Sequence, residues 1–351
     1  MKRLLLLASL LAGLLASPVA AGGLNDSLKK GTPEFKSVGP LAFGPDGILF
    51  VADPEAASIF ALDTSDTKPA GKEDIKIEGF DGKVAAMLGT KPDGVSVKSM
   101  KVNPASGNVY VSVMRGKSPI LLKVERSGKI SELMLKDIPF ASVSLKNATE
   151  KKRQESITGI SFVNGRVIVA GLSNEEFSSN LRMLVFPFDK ADQGTAVEIY
   201  HGAHGRYETA SPIRTFMAMD IGGKTHVLAA YTCTPLVKFP LEDLQNGKKL
   251  RGTTVAELGN RNVPLNMISY KKEGKEYVLI ANSARGVMKV STDGIDTTES
   301  ISARVESTAG LKYETIPNLK GVLTLDKLDD SHAVILSKSD KGLNLVSIDL
   351  P

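Results

Sequence analysis

The sequence predicts an all-β fold, a six-bladed β-propeller of four-stranded antiparallel blades, and three observations carry that prediction. Short alternating runs of Val, Ile, Leu and Ala recur through the chain, separated by Gly- and Pro-containing turns. A hairpin followed by one or two further short strands returns six times. The hairpins begin at Leu41, Met100, Ile160, Met217, Ile268 and Leu323, at intervals of 59, 60, 57, 51 and 55 residues. A loose period of this size, repeated over the chain, marks a ring of blades rather than a sandwich.

The first hairpin, LAFGPDGILFVAD at 41–53, shows the grammar. Pro fixes φ and Gly accepts the positive φ that a tight connection needs. Residues 59–62 read as its third strand and 74–80 as its fourth. MKVNPASGNVYVS at 100–112 is the second hairpin, with strands expected at 120–124 and 130–135. ISFVNGRVIVA at 160–170 is the third, with 182–186 and 197–200. The fourth turns at Gly222-Gly223 and continues in 236–239 and 254–257. The fifth turns at Gly274 and continues in 287–290 and 301–305. The sixth turns near Asp329-Asp330 and continues in 343–348. That last unit lacks a fourth strand of its own. Either the N-terminal segment 22–37 supplies it and closes the ring, or blade six has three strands.

Composition agrees with a soluble, exported chain. The 351 residues are 42% hydrophobic and 24% charged, with no Trp and 5% aromatic residues, so the core is expected to be built from Val, Ile, Leu, Met and Ala. Lys2 and Arg3 precede a thirteen-residue apolar run from Leu4 to Ala16, then Ser17-Pro18 and the small-residue pattern Val19-Ala20-Ala21. This is the layout of a signal peptide cleaved near Ala21, which assigns 1–21 to export and 22–351 to one propeller domain. Thirteen residues of helix rise only ~20 Å, short of a ~30 Å hydrocarbon core. No later run is long enough to span a membrane. The expected location is periplasmic or extracellular. Removing Lys2 and Arg3 lowers the formal charge from +5 to +3, and the remaining basic residues are mixed with acidic ones. Nucleic acid would require a concentrated basic stripe, which is absent. Cys233 is the single cysteine, so no internal disulfide forms, and it is expected to be a buried, inert thiol.

GPLAFGPDGILFVAD at 39–53 resembles the repeat of NHL-like and SMP-30-like six-bladed propellers. VAGLSNEEF at 169–177, TCTPLV at 232–237 and ANSARGVMK at 281–289 are similar to stretches of uncharacterised exported bacterial propellers. The second resemblance implies fold and compartment but no activity. Propellers host lactonases, sugar dehydrogenases and binding proteins alike.

Two sets of candidate functional residues stand out. YHGAHGRYETASPIR at 200–214 leads into blade four and carries His201 and His204, three residues apart. Cys233 lies in the second-to-third loop of the same blade. In an up-and-down blade those loops and the blade-to-blade crossings share a face. Two imidazoles and a thiolate there make a candidate zinc or copper site, the one cofactor the residues suggest. The second set is Arg214, Asn266 and Lys320, which come just before the inner strands of blades four, five and six, joined by Arg285 from a loop on the same face. Lys98 and Thr158 hold similar places. A channel mouth rich in Arg and Lys favours an anionic or polar small ligand or an acidic protein loop. The first reading of function is therefore a binding or scaffold propeller, its ligand or partner held near blades four and five. The alternative is a metal- or quinone-dependent enzyme. A lactonase would need carboxylates at the inner-strand starts, where Gly39, Lys98, Thr158, Thr215 and Gly321 stand. A quinone enzyme would need His201 or His204 as a base at the channel. His226 and His332 fall within strand patterns and are expected to be structural.

Overall fold

The computed structural model describes residues 24–233 and 235–351, so the signal-peptide segment 1–21 lies outside the described residues. The six expected hairpins are all present, and each opens a separate antiparallel sheet. Their inner pairs are Leu41–Phe43 with Ile48–Asp53, Val95–Val102 with Val109–Arg115, and Gly159–Val163 with Arg166–Leu172. The remaining three are Ile213–Ile221 with Lys224–Tyr231, Pro264–Lys272 with Lys275–Asn282, and Val322–Lys327 with His332–Ser339. The fold is a six-bladed β-propeller. Some blades carry extra edge strands, such as Lys29–Gly31 on the outside of blade one.

The outer strands depart from the sequence expectation in three places. Blade one is not completed by 74–80. Its fourth strand is Ile138–Ser144, which the chain forms on its way back from blade two and which pairs with Ser58–Asp63. The short strand Lys76–Ile77 instead pairs with Gly342–Asp349 and gives blade six its fourth strand. The ring is thus closed by residues 76–77, and the N-terminal segment lies outside blade one. In blade five the fourth strand is Tyr313–Thr315, not 301–305.

These swaps change the order of the blades. Blade two lies between blades six and one, so the ring runs one, three, four, five, six, two. Lys101 Nζ meets Asp326 Oδ1 at 2.7 Å across the two–six interface, and Ser112 Oγ donates to Gly39 O at 2.7 Å across the two–one interface. Ser156 Oγ donates to Pro54 O at 2.7 Å between blades three and one.

Alternation explains the core. A strand within a blade sends successive side chains to opposite faces, and each face meets a neighbouring blade. Six apolar clusters result, one at each interface. Between blades one and three, Phe50, Ile59 and Val169 are fully buried. Blades six and two share Val334, Val111 and Leu345. Phe50 adds aromatic packing, stacking on Phe162 at 5.4 Å and meeting Phe186 edge-on at 5.0 Å.

Among the described residues, no helix is long and apolar enough to cross a membrane.

Candidate functional site

The histidine pair sits on a small hairpin. Thr195–His201 is the fourth strand of blade three, and the chain reverses at once into Arg206–Glu208, pairing His201 with Arg206 and Ile199 with Glu208. Gly205, at φ +66°, supplies the turn. The reversal brings a carboxylate under both rings. His201 Nδ1 lies 3.0 Å from Glu208 Oε2, and His204 Nδ1 lies 2.6 Å from Glu208 Oε1.

Glu208 fixes the tautomers. Burial would raise its pKa, but hydrogen bonds from His201, Ser211 and His204 overcome that and hold the carboxyl well below its usual range. An ionised carboxylate only accepts, so each Nδ1 donates, and in the neutral imidazole that leaves the lone pair on Nε2. His201 is 2% exposed, and its Nε2 is buried without a hydrogen-bond partner. A buried, unsatisfied acceptor is costly unless something binds it.

Cys233 completes the cluster. One ring nitrogen of each histidine and the Cys233 sulfur all lie within 4.8 Å of one another. Cys233 sits at φ +63° just after the strand Lys224–Tyr231, and its N–H donates to Asn262 O at 2.7 Å. That bond ties it to the segment entering blade five. Cys233 is half-buried, where full burial was expected. It stands at a loop end facing the histidine hairpin rather than in the apolar interface below.

The hairpin is braced from behind. Glu257, 1% exposed, accepts the Gly202 N–H at 2.5 Å, and burial raises its pKa. Val305 N–H donates to Gly202 O at 2.9 Å, so a strap from blade five also holds the turn. In front lies an open pocket of about 570 Å³, lined by His201, His204, Lys152, Arg206, Thr232 and Arg214 among others.

The second set of candidates divides. Arg214 and Asn266 line the central channel, a cavity of about 350 Å³, together with Lys98 and Thr158. Arg285 and Lys320 do not line it. The Arg285 guanidinium donates to Asn260 O at 2.9 and 3.2 Å, and Lys320 is exposed outside the channel. Arg214 reaches both cavities. Its Nε donates to Thr232 Oγ1 at 3.0 Å and its Nη1 pairs with Glu155 at 3.0 Å.

Among the described residues, no carboxylate lines the channel. Asp53 is fully buried and accepts from the N–H groups of Lys36, Ser37 and Ala56 and from the Ser37 hydroxyl, a structural role. Neither His201 nor His204 lines the channel, so neither stands where a channel base would. His226 Nδ1 contacts Lys224 O, and His332 pairs with Asp329.

Glu208 and Glu257 escaped the sequence reading. Glu208 had a signal: it is the only carboxylate within the same short Gly-rich segment. Glu257 had none, because it ends a strand 55 residues away and reaches Gly202 only through the fold.

No protein-family model matches the chain, and no curated protein matches it. Solved propellers do. The β-propeller domain of Cps50 (Swd1) from Myceliophteria thermophila is similar at 10% identity over 90% of this chain and 84% of that one, with a TM-score of 0.40. The PQQ-bound aldose sugar dehydrogenase of Streptomyces coelicolor is similar at 9% identity over 92% and 96%, with a TM-score of 0.36. Similarity this low says nothing about activity, and the blade count rests on the sheet topology alone.

Proposed function

We propose that this chain is an exported binding propeller that captures a thiophilic transition-metal ion, Zn²⁺ or Cu⁺, with His201, His204 and Cys233 on its crossing face. The observation that carries the reading is the buried, unpartnered Nε2 of His201, beside a second imidazole oriented by the same carboxylate. Metal-bound histidines characteristically donate their other ring N–H to a carboxylate, which orients the ring and raises its basicity. Two imidazoles and a thiolate suit zinc and copper far better than calcium or magnesium, which require oxygen ligands. Ligands about 2.0–2.3 Å from a tetrahedral zinc stand roughly 3.5 Å apart, so a 4.8 Å cluster closes with small side-chain rotations.

Three protein ligands would leave a fourth position for a water or small ligand, and His201 and His204 both line the open pocket. Export is supported by the cationic start, apolar run and small-residue site of residues 1–21. Titration with Co²⁺ as a spectroscopic stand-in for Zn²⁺ tests the ligand set. A sulfur-to-cobalt charge-transfer band should appear with the wild-type chain and be missing with Cys233→Ser. Absence of any band in the wild type would sink the assignment.

A further inference from the structure

The inner strands of blades two, four, five and six each carry a one-residue bulge at the same height. Val97 pairs with Val113 and Ser99 with Ser112, which leaves Lys98 as the extra residue. Arg214, Leu265 and Leu323 are the extra residues at the matching breaks in the other three blades. A bulge re-aims its extra side chain, and all four of these residues line the channel. Pro40 and Thr158 hold the corresponding places just before the inner strands of blades one and three, and they line it too.

The blade order gives this ring its chemistry. Running one, three, four, five, six, two, the positions read Pro40, Thr158, Arg214, Leu265, Leu323, Lys98. Arg214 and Lys98 are three blades apart and so face each other across the channel. In sequential order they would have been two blades apart. Leu265 and Leu323 form the wall on one side between them, and Thr158 and Pro40 form the wall on the other. Lys101 also lines the channel, but its charge is met by Asp326 at 2.7 Å. Lys98 is exposed and pairs with no carboxylate among the described residues. Glu155 and Thr232 hold Nη1 and Nε of Arg214 and leave Nη2 for a ligand. The Thr158 hydroxyl is buried without a partner.

We propose that the channel binds a small aliphatic dicarboxylate, one carboxylate on Arg214, the other on Lys98, and the methylenes against Leu265 and Leu323. Lys98 offers one anionic end an ammonium with no carboxylate partner among the described residues, and Arg214, already ion-paired with Glu155 at 3.0 Å as Lys101 is with Asp326, offers the other end its remaining Nη2. The leucine wall selects for an apolar spacer over a compact diphosphate. The cavity, about 350 Å³, lies within the range of ordinary small-molecule pockets.

Calorimetric titration with succinate, glutarate, acetate and pyrophosphate tests this. At least one of the two dicarboxylates should bind the wild-type chain, and Lys98→Met should weaken it about tenfold or more, the loss of one charged contact. Acetate should bind too weakly to measure. Cys233→Ser should leave dicarboxylate affinity unchanged, which separates this site from the metal site. Thermal unfolding confirms that Lys98→Met is folded, and Lys98→Gln substitutes if it is not. No heat from either dicarboxylate at millimolar concentration overturns the proposal. So does unchanged affinity in the folded Lys98 variant, or a preference for pyrophosphate.

Discussion

The rings of His201 and His204 lie 3.8 Å apart, centroid to centroid, tilted by 36°. Two rings this close can be oriented together by one shared carboxylate. Glu208 provides it, and it does so on the Nδ1 side of both rings. The pair is thereby set with both Nε2 atoms turned away from Glu208, that of His201 buried without a partner.

The half-buried thiol should react. Cys233 in the metal-free chain should be alkylated without denaturant, because the residue is only half-buried. Adding Zn²⁺ should slow the reaction markedly, since a coordinated thiolate is neither exposed nor a ready nucleophile. Reaction only after unfolding would contradict the placement of Cys233, and an unchanged rate with Zn²⁺ would contradict its role as a ligand.

The closure of the ring can be trapped chemically. Lys76 and Val346 are directly paired across antiparallel strands, where facing Cα atoms stand about 4.5–5.5 Å apart, within disulfide range. Lys76→Cys with Val346→Cys, in a Cys233→Ser background, should oxidise to an intramolecular disulfide under mild conditions. Peptide mapping would identify it. Recovery of both thiols unbridged would refute closure by residues 76–77.

Asp66 should be a strong determinant of stability. Its carboxylate accepts from Asn103, Ser106, Asn108 and Tyr110 and pairs with Lys123 at 3.2 Å. Burial works to raise its pKa, but these bonds prevail and hold it below the usual carboxylate value. Asp66→Ala should cost about 3 kcal/mol in urea unfolding, because several donors and one ammonium lose their partner together. A depressed native pKa gives stability that is complete above the ordinary carboxylate range and is lost as pH falls through the native value. The gap between wild type and variant should therefore narrow below about pH 4. A gap that stays constant into acid would contradict the charge-based account.

The hairpins and most outer strands were legible in the sequence, while the fourth strands of blades one, five and six were not. At each hairpin, alternation and turn chemistry act within about a dozen residues, as at 41–53, where the local signal suffices. Lys76–Ile77 is a two-residue strand whose partner lies some 270 positions away, and nothing in its own residues names blade six. The run at 301–305 has β-forming residues, yet Ile301 N–H donates to Thr254 O as part of a strap, and Tyr313–Thr315 takes the blade position. For the same reason the opposition of Lys98 and Arg214 was hidden, because it depends on a blade order that only the long-range pairing sets. His201, His204 and Cys233 could be picked out by residue type, since few side chains in this chain ligate soft metals.

The most direct test of metal capture is elemental analysis of protein purified without chelator, equilibrated with Zn²⁺ or Cu⁺ and freed of excess ion. The wild-type chain should retain a single tightly held ion. His201→Ala should retain almost none while remaining folded, because the buried imidazole is the ligand and the apolar blade interfaces that hold the propeller together do not include it. A wild-type chain that retains neither metal, or a His201→Ala chain that retains as much as the wild type, would contradict the account.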